Sequence, residues 1–257
     1  KVLGQLRGAI ILFHDMSLEE QIDKTKSEFV SLASHQLRTP LNVVSWYVEK
    51  LLSQKKGPLN ERQIDYLTEI STNNTRMVRL VSDLLNVSRV ELGKIKVKNE
   101  TVAIKPLVES LIKEIEQIIQ QKNLTFTATT DEIDQEILTM SDESIVTVII
   151  QNLLSNAIKY TPEGGSIGFR IGNDAEMDIP SQLKQTCLAG PGIFIRVTDT
   201  GIGIPPDQQD KIFSKLFRAE NVQSLDVSGT GLGLYVTQNF AAALGGCIWF
   251  ASSPGSG

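Results

Sequence analysis

The run FVSLASHQLRTPLNVVSWYVEKLL, residues 29–52, decides the first half of the fold. Its apolar positions Phe29, Ala33, Leu37, Leu41, Val44, Val48 and Leu51 recur at steps of three and four, which places them in one stripe of an α-helix. Successive helical residues turn by about 100°, so His35, two positions from both Ala33 and Leu37, projects roughly opposite that stripe, towards solvent. Ser31, Arg38 and Thr39 share its polar side, and Pro40 removes a backbone donor and is expected to kink the helix. Downstream, SQKKGPLNER at 53–62 reads as a Gly-Pro turn, and Ile64, Leu67, Ile70, Met77, Val81 and Leu84 mark a second helix. The two helices form an antiparallel hairpin. A lone hairpin cannot enclose its own stripe, so two copies are expected to pair into a four-helix bundle.

Beyond LGKIKVKNE the pattern changes to alternating strands and helices, and a new domain begins near residue 98. Pro106 marks a helix start, followed by apolar Leu111, Ile115, Ile118 and Ile119. LTFTATT, EILTM, SIGFRI, GIFIRVTD and CIWFAS are the expected strands, and residues 142–160, 207–217 and 231–244 the expected helices. The fold class is therefore α followed by α/β: a helical hairpin dimerising into a four-helix bundle, then a two-layer α/β sandwich. Residues 172–191 join two strands by a connection longer than most and carry no catalytic pattern. Near the start, GAIILFHD at 8–15 reads as a short buried strand. His14, the second of two histidines, has no partners in sequence and reads as structural.

Composition narrows the function. A net charge of −5 with Lys and Arg scattered among acids offers no basic stripe to a phosphate backbone, so nucleic acid is not an expected partner. Cys187 and Cys247 lie far apart without metal or redox spacing and are read as reduced thiols in a cytoplasmic setting. The run 9–13 is too short to span a bilayer, which needs about 20 apolar residues, so no membrane contact is expected of this stretch. The chain starts mid-pattern without a Met and ends in SSPGSG, and is expected to be part of a longer protein, itself cytoplasmic or membrane-anchored.

Three further patterns carry chemistry. In QNLLSNAIKY, residues 151–160, Asn152 and Asn156 are i and i+4 on one helix face, continued by Lys159 and Tyr160, while Ile145, Ile149 and Leu153 can face a sheet. An amide oxygen is a hard, uncharged ligand suited to Mg²⁺ that keeps water and phosphate in its shell, although two asparagines on a helix can also simply face solvent. DTGIGIPP, residues 199–206, puts Asp199 at a strand end, and Gly201 and Gly203 let backbone approach a ligand closely. GTGLGL, with Gly229, Thr230, Gly231, Leu232 and Gly233, opens a helix whose N–H groups suit an anion. It has neither dinucleotide-fold nor P-loop spacing.

With SHQLRTP around His35, these patterns in this order resemble the sensor histidine kinases of two-component signalling, over about residues 20–257. FHDMSLEE, residues 13–20, resembles the exit of a PAS-type sensor domain, giving segments 1–16, 17–95 and 98–257. The resemblance implies that His35 attacks the γ-phosphoryl group of ATP and passes it to an aspartate of a response-regulator receiver domain, within a homodimer. It implies that Asn156 binds Mg²⁺, Asn152 supports the site, Lys159 reaches phosphate, Tyr160 lines the nucleotide and Asp199 reads the adenine amino group. KIFSKLFRAENVQSLDVS resembles the mobile ATP lid, with Phe213 and Phe217 as apolar anchors and Arg218 facing phosphate. Thr39 falls where the family positions water for dephosphorylating its partner; a plain helix threonine before a proline is equally compatible with the sequence. Gln36 departs from the acidic residue usual after the histidine: an amide can orient the ring but cannot take its proton. A degenerate ATP-sensing scaffold and a chaperone- or topoisomerase-type ATPase are the competing readings, the first supported by Gln36 and the second weakened by the histidine-bearing hairpin.

Overall fold

The computed structural model describes residues 17–55, 57–93, 95–129, 138–173, 192–223 and 229–257. The expected strand at 8–15, the PAS-like segment 1–16, His14, Cys187 and most of the 172–191 connection lie outside them. Helix α1, Ser17–Leu52, continues through Pro40, and α2, Glu61–Glu91, returns beside it. Asn60 starts α2 with reciprocal bonds: its Oδ1 accepts from Gln63 N–H, and its own N–H donates to Gln63 Oε1, both at 2.9 Å.

The hairpin seam differs from the apolar stripe read in the sequence. Ser34 and Val48 are buried against α2, whereas Phe29, Leu37, Val44 and Leu51 remain exposed. The stripe is wider than one helix contact, so one edge packs within the hairpin and the other is left uncovered beside exposed Ile70, Met77 and Leu84 of α2. Asn74 sits buried in the seam, donating to Leu41 O at 2.9 Å and Ser45 Oγ at 2.6 Å. That polar anchor ties the two helices at one level, because sliding either helix would strand a buried amide.

The second half runs β1 (Glu100–Ala103), α3 (Ile104–Gln121), β2 (Thr125–Thr129), β3 (Leu138–Ser141), α4 (Glu143–Tyr160), β4 (Ser166–Asn173) and β5 (Ile193–Asp199). A 3₁₀ turn at Pro206–Lys211, α5 (Glu220–Gln223) and α6 (Gly233–Ala243) follow. β1 pairs antiparallel with β3, and β4 lies between parallel β2 and antiparallel β5, with Ile167 opposite Asp199. Asp142 caps α4 by accepting from Ser144 and Ile145 N–H, and its other oxygen accepts from Lys98 N–H at 2.9 Å.

Val146, Ile150 and Leu154 of α4 pack with Val108 and Leu111 of α3 against Phe169 and Ile171 of β4. Each such side chain contributes about 1.5–3 kcal/mol by leaving water. Ile145 and Ile149, expected against the sheet, instead meet Leu232, Val236 and Phe240 together with Val87 of α2, and Leu153 faces a cleft. An offset of one residue turns a helix face by about 100°, enough to exchange these neighbours.

Other expectations are corrected. β1 went unread because it is four residues long with one fully buried side chain, Val102. The helix expected at 207–217 is only the 3₁₀ turn, and Leu216 at φ 60° breaks any continuation. Residues 247–252, CIWFAS, form no strand among the described residues; they are held by ring contacts, Trp249 to Phe194 and Phe250 to Phe213. Cys247 is disulfide-bonded, against the reduced thiol expected of it. No helix among the described residues is long and apolar enough to cross a membrane.

Candidate active site

A cleft of about 1030 Å³ opens between α4, β5, the turn after Asp199, α6 and residues 245–252. Asn156, Tyr160, Asp199, Gly203, Phe213 and Arg218 line it together, although 62 residues separate the first from the last.

The periodicity of α4 sets what each residue can do. Asn152 is buried, and its Nδ2 donates to Gly233 O and Thr237 Oγ1, both at 3.2 Å, so it bolts α4 to α6 rather than facing the cleft. Asn156, one turn on, faces the cleft half-buried and forms no side-chain hydrogen bond with a described residue, leaving its amide oxygen for a ligand. No group of three or more His, Cys, Asp or Glu side chains suited to a metal occurs among the described residues. A single amide oxygen nevertheless suits Mg²⁺, which keeps several waters and takes phosphate oxygens.

Lys159 Nζ donates to Tyr160 Oη at 3.0 Å and lies 4.7 Å from that ring's centre. Burial, then the charges of Arg218 and Arg79, hold the Lys159 ammonium well below its ordinary range, at about 8. Burial likewise pushes the Tyr160 hydroxyl up. The last turn of α4 is fixed by a residue the sequence reading missed: Lys122, just past α3, donates from one ammonium to Ile158 O at 2.6 Å, Lys159 O at 3.2 Å and Thr161 O at 2.7 Å. It neutralises the negative end of that helix. Nothing in its local sequence marks it, since its partners lie more than 35 residues away.

Asp199 ends β5 and accepts from Gly201 N–H at 2.9 Å, while burial raises its carboxyl above the usual carboxylate range. A side chain at Gly201 would meet Tyr160 O at 2.8 Å, so only glycine lets the turn pass so close to α4. Gly231 adopts φ +70°, and a Cβ there would meet the backbone of Leu216 and Phe217 below 3 Å. The Lys159 side chain lies against Gly229, joining the glycine-rich turn to α4. Thr230 accepts from Leu232 N–H at 3.2 Å and donates to Asp83 Oδ2 of α2 at 2.8 Å.

His35, Gln36 and Thr39 are exposed on α1 and are not among the residues lining the cleft. The hairpin touches the second domain elsewhere: Arg79 Nη2 donates to Ser155 Oγ at 2.6 Å, and Lys215 pairs with Glu91.

Two families match this chain. Residues 25–93 match the family described as His Kinase A (phospho-acceptor) domain, and residues 141–257 that described as Histidine kinase-, DNA gyrase B-, and HSP90-like ATPase. Among curated relatives, the sensor histidine kinase WalK of Bacillus subtilis (strain 168) is 30% identical over 256 residues, covering 99% of this chain and 39% of the relative. The sensor protein kinase WalK of Staphylococcus saprophyticus is 32% identical over 257 residues, covering 99% of this chain and again 39% of the relative. The chain thus spans about two fifths of the length of these relatives. In structure it resembles full-length ShkA, solved in complex with AMPPNP, at TM-score 0.63 and 24% identity, over 89% of this chain and 43% of that one. The histidine kinase AdeS of Acinetobacter baumannii follows at TM-score 0.52 and 21% identity, over 86% and 92% of the two chains, so both share the fold.

Proposed function

Because this chain belongs to the sensor histidine kinases, carrying their phosphoacceptor and ATPase domains in that order, we propose that it phosphorylates His35 from Mg·ATP. The phosphoryl group then passes to an aspartate of a response-regulator receiver domain. The observation that carries this reading is a division of labour. An exposed imidazole stands on the hairpin, and a separate cleft holds an amide, a carboxylate and cations suited to a nucleotide.

In the proposed step a neutral imidazole nitrogen of His35 attacks the γ-phosphorus in line, and the bond from that phosphorus to the β–γ bridging oxygen breaks. ADP departs with that oxygen's charge, and the imidazole loses its proton to solvent. Gln36 orients the ring through its amide, and Thr39 positions water for hydrolysis of the aspartyl phosphate on the partner. In the cleft, Asp199 accepts from the adenine amino group while Tyr160 and Phe213 flank the nucleotide. Lys159, Arg218 and the N–H groups of Gly229–Gly233 neutralise phosphate. Asn156 would hold Mg²⁺, which supplies charge neutralisation between the terminal phosphates. Gly201 and Gly203 give the ligand room, Phe217 anchors the lid, and Asn152 fixes α4.

A homodimer follows from the same reading, since the exposed stripe Phe29, Leu37, Val44 with Ile70, Met77 and Leu84 offers an apolar face that a second hairpin would cover. The domain limits 17–95 and 98–257 fit this division. Incubation with γ-labelled ATP and Mg²⁺ tests the proposal. Acid-labile label on protein supports it; nucleotide binding without label supports a scaffold, and released phosphate without label a simple ATPase.

A further inference from the structure

Asp83 and Arg79 lie i and i−4 on α2, so they share one face of the phosphoacceptor hairpin. Arg79 reaches α4 through Ser155, the residue before Asn156, at 2.6 Å. Asp83 reaches the glycine-rich turn through Thr230 at 2.8 Å. The two bonds therefore land beside the cleft, one on the residue before its lining Asn156 and one on the glycine-rich turn against which the Lys159 side chain lies. Beneath them, Val87 of α2 packs with Ile145, Leu232 and Val236, which fixes the hairpin against the ATPase domain. Arg218 lines the cleft, and its charge and that of Arg79 both act on the Lys159 ammonium. Asp83 offsets part of the Arg79 charge, and a polyanion set among the three cations relieves the rest of their mutual repulsion.

We propose that Arg79, supplied by the hairpin and not by the ATPase domain, is a phosphate-reading residue of the nucleotide site, acting with Lys159 and Arg218 on the terminal phosphates. This rests on the reading that the cleft binds ATP. It makes docking of the ATPase domain on α2 sensitive to the number of phosphates bound. Exchange of Ser155 Oγ for a phosphate oxygen keeps Arg79 satisfied, so the arginine can stay in place when nucleotide enters. Asp83 keeps Thr230, and with it the glycine-rich turn, on the same helix.

The test is calorimetric binding of AMP, ADP and ATP with Mg²⁺ to this chain as wild type, Arg79→Gln, Arg79→Lys and Ser155→Ala. The proposal expects Arg79→Gln to leave AMP binding unchanged, to weaken ADP a few-fold and to weaken ATP about tenfold, the size of one charge-assisted contact. Arg79→Lys should recover most of the loss, and Ser155→Ala, which removes only the contact across the domains, should lose little. Equal weakening of all three nucleotides, or no weakening of ATP, overturns the proposal while wild-type ATP binding stands. Failure of the wild type to bind ATP overturns it together with the reading beneath it.

Discussion

Thr230 donates to Asp83 across 147 positions of sequence, at 2.8 Å, so the glycine-rich turn of the ATPase domain is fastened to the second helix of the hairpin. Burial raises the Asp83 carboxyl above its ordinary value, outweighing the Thr230 bond and the charge of Arg79. A carboxyl with a raised folded value binds protons more readily folded than unfolded, so it lowers stability as pH rises from about 4 through that raised value. Asp83→Asn keeps an acceptor for Thr230 and removes the buried charge. We expect an unchanged or higher Tm at pH 7 and a flatter dependence of Tm on pH above about 4. Thermal melts across that range check it; Asp83→Ala, which deletes the acceptor, should instead lower the Tm.

Lys159 titrates near 8 because burial and two arginines disfavour its charge. Its folded value lies below the unfolded one of 10.5, so its burden on the fold is complete below about pH 8 and fades as pH rises towards 10.5. Phosphate restores the charge, so ATP binding should take up protons above pH 8. Its affinity should fall as pH rises further, approaching about tenfold per pH unit. Titration calorimetry in buffers of different ionisation heat measures that uptake, and Lys159→Met should abolish it.

Asp199 presents a pure acceptor at the end of β5, held by Gly201 N–H. Asp199→Asn turns it ambidentate and should cost ATP about tenfold or more in affinity, with no loss of fold by circular dichroism. Inosine triphosphate, which carries a carbonyl where adenine has its amino donor, should bind the variant no worse than the wild type.

The parts of this architecture that depend on local spacing were legible in the sequence. The expected helix 142–160 is observed at Glu143–Tyr160, and the 53–62 turn falls between Leu52 and Glu61. Asn156, Tyr160, Asp199, Gly203, Phe213 and Arg218 line one cleft, whereas Asn152, Lys159, Gly201, Gly229, Thr230, Gly231, Leu232 and Gly233, expected with them, are not among its lining residues. What depends on which surfaces meet was not legible. Arg79, Asp83 and Lys122 look like ordinary helix-surface charges until the partner 36–147 residues away is known. The face of α4 was misplaced by one residue because Ile145 and Val146 are both apolar, and only packing against α6 or the sheet separates them. Leu216 at positive φ cut short a helix whose composition favoured it.

Gln36 stands exposed beside His35 where an acidic side chain is usual in the family. An amide cannot accept the imidazole proton, and a positioned base contributes on the order of 10²-fold. Gln36→Glu should therefore raise the single-turnover rate of autophosphorylation at saturating ATP without changing nucleotide affinity. Rapid-quench measurements on the two proteins check it, and an equal or lower rate for Gln36→Glu rejects a base deficit at this position.

The most direct measurement is to locate the phosphoryl group after incubation with Mg·ATP, by mass spectrometry under alkaline conditions that preserve phosphohistidine. The account predicts a single phosphoryl group on His35, absent from His35→Gln although that variant binds ATP as the wild type does. Label retained on His35→Gln, or found on another residue of the wild type, would contradict it.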